Sequence, residues 1–166
     1  MLTALNISKE EAEAIIYLPE DTVIVSIGEE HEEFWNLKVS GGRVLRMRFS
    51  DITKTVKKGD KFYNPISDAQ AKAMAEFIAE NQERKFIVNC RAGISRSAAV
   101  CLFIHQQYGH GLKPNFWNLS HPNPQVLQCL RNVQQNLTPR IGVSREGAGG
   151  MGDPTTEEGS YPTMRA

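Results

Sequence analysis

The chain has 166 residues and a mass of 18.6 kDa, which at about 100 to 200 residues per domain predicts one folded unit and a tail. Hydrophobic residues make up 40% and charged residues 23%, so an ordinary globular core is expected and collagen-like or wholly disordered classes are excluded. Nineteen Lys and Arg balance nineteen Asp and Glu, so no whole-chain field gathers nucleic acid or an anionic membrane surface, and any anion site must be local.

From the N-terminus, MLTALNISKEEAE lacks the basic start and apolar core of a signal peptide. Ser8 and Glu11 have the spacing of a capping box, which predicts a short helix to about Tyr17, stopped by Pro19. Thr22 to Ile27 (TVIVSI) is uncharged and rich in β-branched residues, as suits a central strand buried on both faces, and Gly28 ends it. The run Glu29 to Glu33 reads as a solvated helix start rather than a metal site, because its one His lacks a second ligand at helical spacing. After the Gly41-Gly42 turn, Leu45, Met47 and Phe49 alternate with Arg46 and Arg48, the period of a half-exposed strand that delivers Ser50-Asp51 to its end.

Ser67 and Gln70 form a second capping box, opening a helix with Ala71, Met74, Phe77 and Ile78 on one face. Phe86 to Val88 is a short apolar strand, and Ala98 to Tyr108 is an apolar helix ending at Gly109. Between them lies Asn89-Cys-Arg-Ala-Gly-Ile-Ser-Arg-Ser97. Pro124 opens a last helix carrying Val126, Leu130, Val133 and Leu137 on one face. The pattern predicts an α/β fold: a single domain over residues 1–140 with a central, mostly parallel sheet flanked by helices. The Gly-rich stretch 141–166 reads as a flexible tail. No apolar run reaches the roughly 18 residues of a bilayer span. Cys90, Cys101 and Cys129 are too few for a disulfide scaffold, so a reducing, cytoplasmic setting is expected.

The segment from Cys90 to Ser97 carries the chemistry. A loop from a strand into a helix aims backbone N–H groups into a concavity, and the helix N-terminus adds about half a positive charge. Gly93 permits the turn, and Arg96 offers a planar fork for two oxygens of a phosphoryl group. In that field the Cys90 thiol is expected to fall from about 8.5 into the range of about 3.5 to 7.5, which makes it a nucleophile able to form a cysteinyl-phosphate. Ser97 can ease departure of the sulfur in the second step. A lone Cys at a strand end is usually a small core residue. The preceding strand, the Gly at the fourth position, the Arg-Ser pair and the following helix argue together for the functional reading.

Cys90, Gly93, Arg96 and Ser97, with Ala92 and Ser95, resemble the Cys-x-Ala-Gly-x-Ser-Arg-Ser signature of cysteine-dependent protein tyrosine phosphatases, most closely their compact dual-specificity branch. The resemblance covers about residues 20 to 138 and implies a phosphatase-like fold. It makes Cys90 the nucleophile, Arg96 a phosphate ligand, and the segment Arg91, Ala92, Gly93, Ile94, Ser95 and Arg96 the phosphate loop, with no metal or organic cofactor. The family's His before the nucleophile is Asn89 here, so an amide is expected to remake the hydrogen bonds that brace the loop. Pro122-Asn123 is similar to a Pro-Asn segment that follows the signature in this branch, which implies that Asn123 also braces the loop.

The family's proton donor is an Asp upstream of the signature, after a strand and before a helix. Asp51 fits that place, and Asp60, in a basic Gly-containing turn, is the alternative. In low-molecular-weight phosphatases and arsenate reductases the acid follows the Cys loop, whereas the only later Asp here is Asp153 in the tail. The expected activity is hydrolysis of phosphotyrosine, and of phosphoserine or phosphothreonine, in phosphoproteins. The competing readings are a phosphatase of inositol phosphates, phosphoinositides or RNA 5′-phosphates, and a phosphate-binding pseudophosphatase. A pseudophosphatase normally lacks the Cys or the Arg, and both stand here.

Overall fold

The computed structural model describes residues 2–39, 43–112 and 121–137. The expected tail at 141–166 and the domain boundary at 140 lie outside the described residues. The fold is α/β, built on a five-stranded sheet whose neighbouring strands all pair in parallel. In chain order the elements are β1 (Thr3–Ile7), α1 (Lys9–Ala14), β2 (Thr22–Gly28), β3 (Val44–Arg48), β4 (Val56–Lys58), β5 (Lys61–Tyr63), α2 (Asp68–Glu80), β6 (Lys85–Asn89), α3 (Arg96–Tyr108), β7 (Gly111–Leu112) and α4 (Pro124–Leu137). The sheet order is β3-β2-β6-β1-β7, and β4 and β5 form a separate antiparallel hairpin.

Parallel pairing needs crossovers, and these cover both faces of the sheet. β2 is therefore buried at all seven positions, as its unbroken apolar run predicts. On one face Val23, Val25, Ile27, Phe86 and Val88 pack with buried residues of α2, α3 and α4, including Met74, Ile78, Phe103 and Leu130. On the other, Ile7 and Ile24 pack with Ala12, Leu37 and Val39.

Both predicted capping boxes form: Ser8 with Glu11, and Ser67 with Gln70. α1, however, ends at Ala14 rather than near Tyr17, because Ile16 and Tyr17 are 78% and 73% exposed and find no core to cover them. The run Glu29 to Glu33 is not helical. It is a turn leaving the end of β2, with its carboxylates drawn toward cations and N–H donors on neighbouring elements. α3 closes on Gly109, whose φ of 67° supplies the left-handed C-terminal turn.

The register sets the strand ends level. Asn89 pairs with Ile7 on one side and Ser26 on the other, and Gly28 pairs with Arg48. The residues just past β1, β2, β3 and β6 thus share one edge, the carboxyl end of the sheet, where open α/β sheets bind ligands. Among the described residues, no helix is long and apolar enough to cross a membrane.

Candidate active site

The loop Cys90 to Ser95 joins β6 to α3 at that edge. Its carbonyls are tied back to the scaffold. Lys9 N donates to Arg91 O at 3.1 Å, Asn6 Nδ2 to Gly93 O at 2.6 Å, and Asn123 N to Ser95 O at 3.0 Å. Gly93 has φ +67°, and a Cβ there would lie 2.6 Å from the carbonyl carbon of Ile7 and 2.7 Å from Ser8 N. Both its conformation and the close approach of the β1–α1 backbone require glycine.

Cys90 is 2% exposed, and its Sγ lies 2.9 Å from Ser97 Oγ. Burial pushes its thiol up, but the Ser97 hydroxyl and N–H, the Arg96 charge and the Ile94 N–H outweigh that and hold it below the ordinary range. Cys101, fully buried on α3, is pushed up by desolvation and by the neighbouring Cys90. The two buried cysteines are thus shifted in opposite directions, Cys90 toward easier ionisation and Cys101 away from it.

Arg96 is also 2% exposed. Its Nη1 donates to Phe49 O at 2.7 Å and Gly28 O at 3.1 Å, and its Nη2 pairs with Glu29 Oε1. The ends of β2 and β3 therefore aim a buried guanidinium that the loop alone could not hold. The first turn of α3 has no acidic residue, and its N-cap Ser95 makes no side-chain capping bond. Instead Ser95 Oγ donates to Asp51 Oδ1 at 2.8 Å. Asn123 Nδ2 donates to the same oxygen at 2.7 Å, so two donors hold Asp51 Oδ1 against the loop. Asp60 sits in the turn between β4 and β5. No family model and no curated protein matches this chain.

Of the predicted loop residues, Gly93, Arg96 and Ser97 are buried, and Arg91, Ala92 and Ile94 are exposed at the mouth. The Arg91 side chain turns to Glu29 and Glu32. Asn123 both touches the loop and caps α4, its Oδ1 accepting from Gln125 N and Val126 N. The bracing expected of Asn89 is corrected: its side chain is fully buried, and neither amide atom has a hydrogen-bond partner among the described residues. Asn6, Lys9 and Asn123 brace the loop instead.

Sequence reasoning missed Glu29 and Glu30. Glu30 accepts from Ser50 Oγ, Asn64 N and Asn64 Nδ2 at 2.9, 2.6 and 2.7 Å, tying the Asp51 turn to the foot of the hairpin. Burial raises its carboxyl, but those donors and His31 bring it below the usual range. The run of acids after a buried strand was visible, but the side-chain and N–H donors its carboxylates meet are 20 or more residues away in sequence.

Proposed function

We propose that this protein is a cysteine-dependent phosphomonoester hydrolase of the protein tyrosine phosphatase kind, similar to the dual-specificity branch. The observation that carries the reading is Cys90 Sγ at 2.9 Å from Ser97 Oγ, in a loop whose Arg96 is buried and aimed by Glu29, Gly28 O and Phe49 O. A phosphoryl group bound by Arg96 and the loop N–H groups presents its phosphorus to the Cys90 thiolate. The S–P bond forms as the P–O bond to the leaving group breaks, and Asp51 gives its proton to the departing oxygen. Water then attacks phosphorus and returns a proton to Asp51. The S–P bond breaks, and Ser97 donates to the returning thiolate. The products are the free hydroxyl and inorganic phosphate.

Arg91, the only additional cation of the loop, is taken up by Glu29 and Glu32. That favours a phosphoprotein over an inositol polyphosphate, whose further phosphates call for free cations in the loop itself. Cys90→Ser tests the mechanism. The variant keeps the parent's circular dichroism and loses p-nitrophenyl phosphate hydrolysis, because a serine hydroxyl does not ionise near neutral pH. Turnover near the parent's level in the folded variant would remove Cys90 from the reaction.

A further inference from the structure

The hairpin β4–β5 follows Asp51 directly and is built into the same edge. Ser50 N donates to Asn64 O at 2.9 Å, Glu30 grips Asn64, and His31 Nε2 bonds Phe62 O at 2.6 Å while its ring meets Tyr63 edge-on. Its placement is therefore fixed by Glu30 and His31, the residues next to the Glu29 that holds Arg96. Between the hairpin's Lys61 and Tyr63, His31 and Arg91 lies a cleft of about 510 Å³.

Residues 53–63 contain four Lys and one Asp in a chain whose formal charge is zero overall. Lys58 and Lys61 pair directly across the hairpin, on the same face as Tyr63. Like charges directly opposite on a two-stranded ladder weaken it, and among the described residues neither lysine has an ion-pair partner. The carboxylates of the cleft are already engaged: Glu29 and Glu32 by Arg91, Glu29 also by Arg96, and Glu30 by Ser50 and Asn64. Two cations are thus held together on one face of the hairpin: Lys61 lines the cleft with Arg91, and Lys58, directly opposite it, lies with its Nζ 5.5 Å from the centroid of the Tyr63 ring that also lines the cleft.

We propose that Lys58 and Lys61 form a specificity subsite for acidic side chains flanking the phosphorylated residue of a peptide. The inference rests on the phosphatase reading above. The chain carries no net charge, so the local field suits a few carboxylates rather than the long polyanion of a nucleic acid. The cations also stand on the hairpin rather than in the loop, which suits an extended chain with its anions spaced away from the scissile group.

The experiment compares kcat/KM for two phosphotyrosine peptides, one with Glu and one with Gln at the flanking positions, in the parent and in Lys58→Gln/Lys61→Gln. The parent favours the Glu peptide by about three- to tenfold at low salt, as two exposed ion pairs provide. The preference shrinks at about 0.5 M salt. The double variant brings the ratio close to one. A ratio near one in the parent, or an unchanged ratio in the variant, overturns the subsite while leaving the phosphatase intact. So does faster turnover of a 5′-phosphorylated oligoribonucleotide or an inositol phosphate than of either peptide. If the parent turns over neither p-nitrophenyl phosphate nor any peptide, the phosphatase reading fails and the subsite falls with it.

Discussion

Asn123 Nδ2 donates to Asp51 Oδ1 at 2.7 Å, while Asn123 Oδ1 accepts the N–H groups of Gln125 and Val126 at 2.9 and 3.1 Å. One amide therefore caps α4 and fixes the acid turn, so its two roles are separable. Asn123→Ser keeps a capping oxygen but loses the donor to Asp51. It stays within about 0.5 kcal/mol of the parent in urea unfolding, yet turns over substrates with basic leaving groups more slowly. Asn123→Ala loses both and is destabilised by about 1 kcal/mol more than the Ser variant. Equal activity in the parent and Asn123→Ser would show that Asp51 needs no such tether.

Ser97 is one of the groups that lower the pKa of Cys90, the proposed nucleophile. With the thiol held below its ordinary range, the rising, acidic limb of kcat/KM follows that lowered pKa, since the thiolate is the reacting form. Ser97→Ala removes a donor that favours the thiolate, so the pKa rises and the acidic limb moves to higher pH. The loss of activity is then larger at pH 5 than at pH 8. The pH dependence of iodoacetamide alkylation of Cys90 reads the same ionisation without turnover, and an unmoved limb in both would assign the lowered pKa to Arg96 and the backbone alone.

Glu29 serves Arg96 before a substrate arrives. Glu29→Gln leaves a guanidinium with 3% side-chain exposure facing two carbonyls and a neutral amide. The expected loss is roughly 1 to 3 kcal/mol, less than for a fully buried pair because Glu29 keeps 24% exposure. A bound oxyanion supplies the missing charge, so tungstate raises the melting temperature of the variant by more than it raises the parent's. Equal ligand-induced shifts would show that Glu29 does not compensate Arg96.

The parts of this site that were legible in the sequence are those made by neighbours. Ser8 with Glu11 and Ser67 with Gln70 cap helices across three residues, and Cys90 to Ser97 spans one strand-loop-helix unit. β1 was not legible, because TALNI is short and carries Asn6 at an interior position. It becomes a central strand only through pairing with β6 and β7, and Asn6 finds its partner in Gly93 O, 87 residues away. Glu29 looked like one acid among several, and its pairing with Arg96 arises only because β2 ends and α3 begins at the same edge. Asn89 was misread for the opposite reason: it stands next to the proposed nucleophile in sequence, but it is a fully buried strand residue whose side-chain amide meets no hydrogen-bond partner among the described residues.

Contact with the loop favours Asp51 over Asp60 as the proposed proton donor. Ser95 and Asn123 hold Asp51 Oδ1, whereas Asp60 occupies the turn of the hairpin. Asp51→Asn keeps an acceptor for both donors, so the fold and substrate binding change little, but the residue has no proton to give. For phenyl phosphate and other basic leaving groups the rate falls by about 100- to 10,000-fold. For p-nitrophenyl phosphate the loss is smaller, since a weakly basic oxygen departs with little protonation. The rising limb set by Cys90 remains, and the fall in rate at higher pH flattens because no acid is left to lose its proton. Asp60→Asn, by contrast, keeps the parent's rate on both substrates. A variant at Asp51 that slows both substrates equally and retains the falling limb would show that Asp51 only positions Ser95, and a large leaving-group-dependent loss at Asp60 would move the acid to the hairpin.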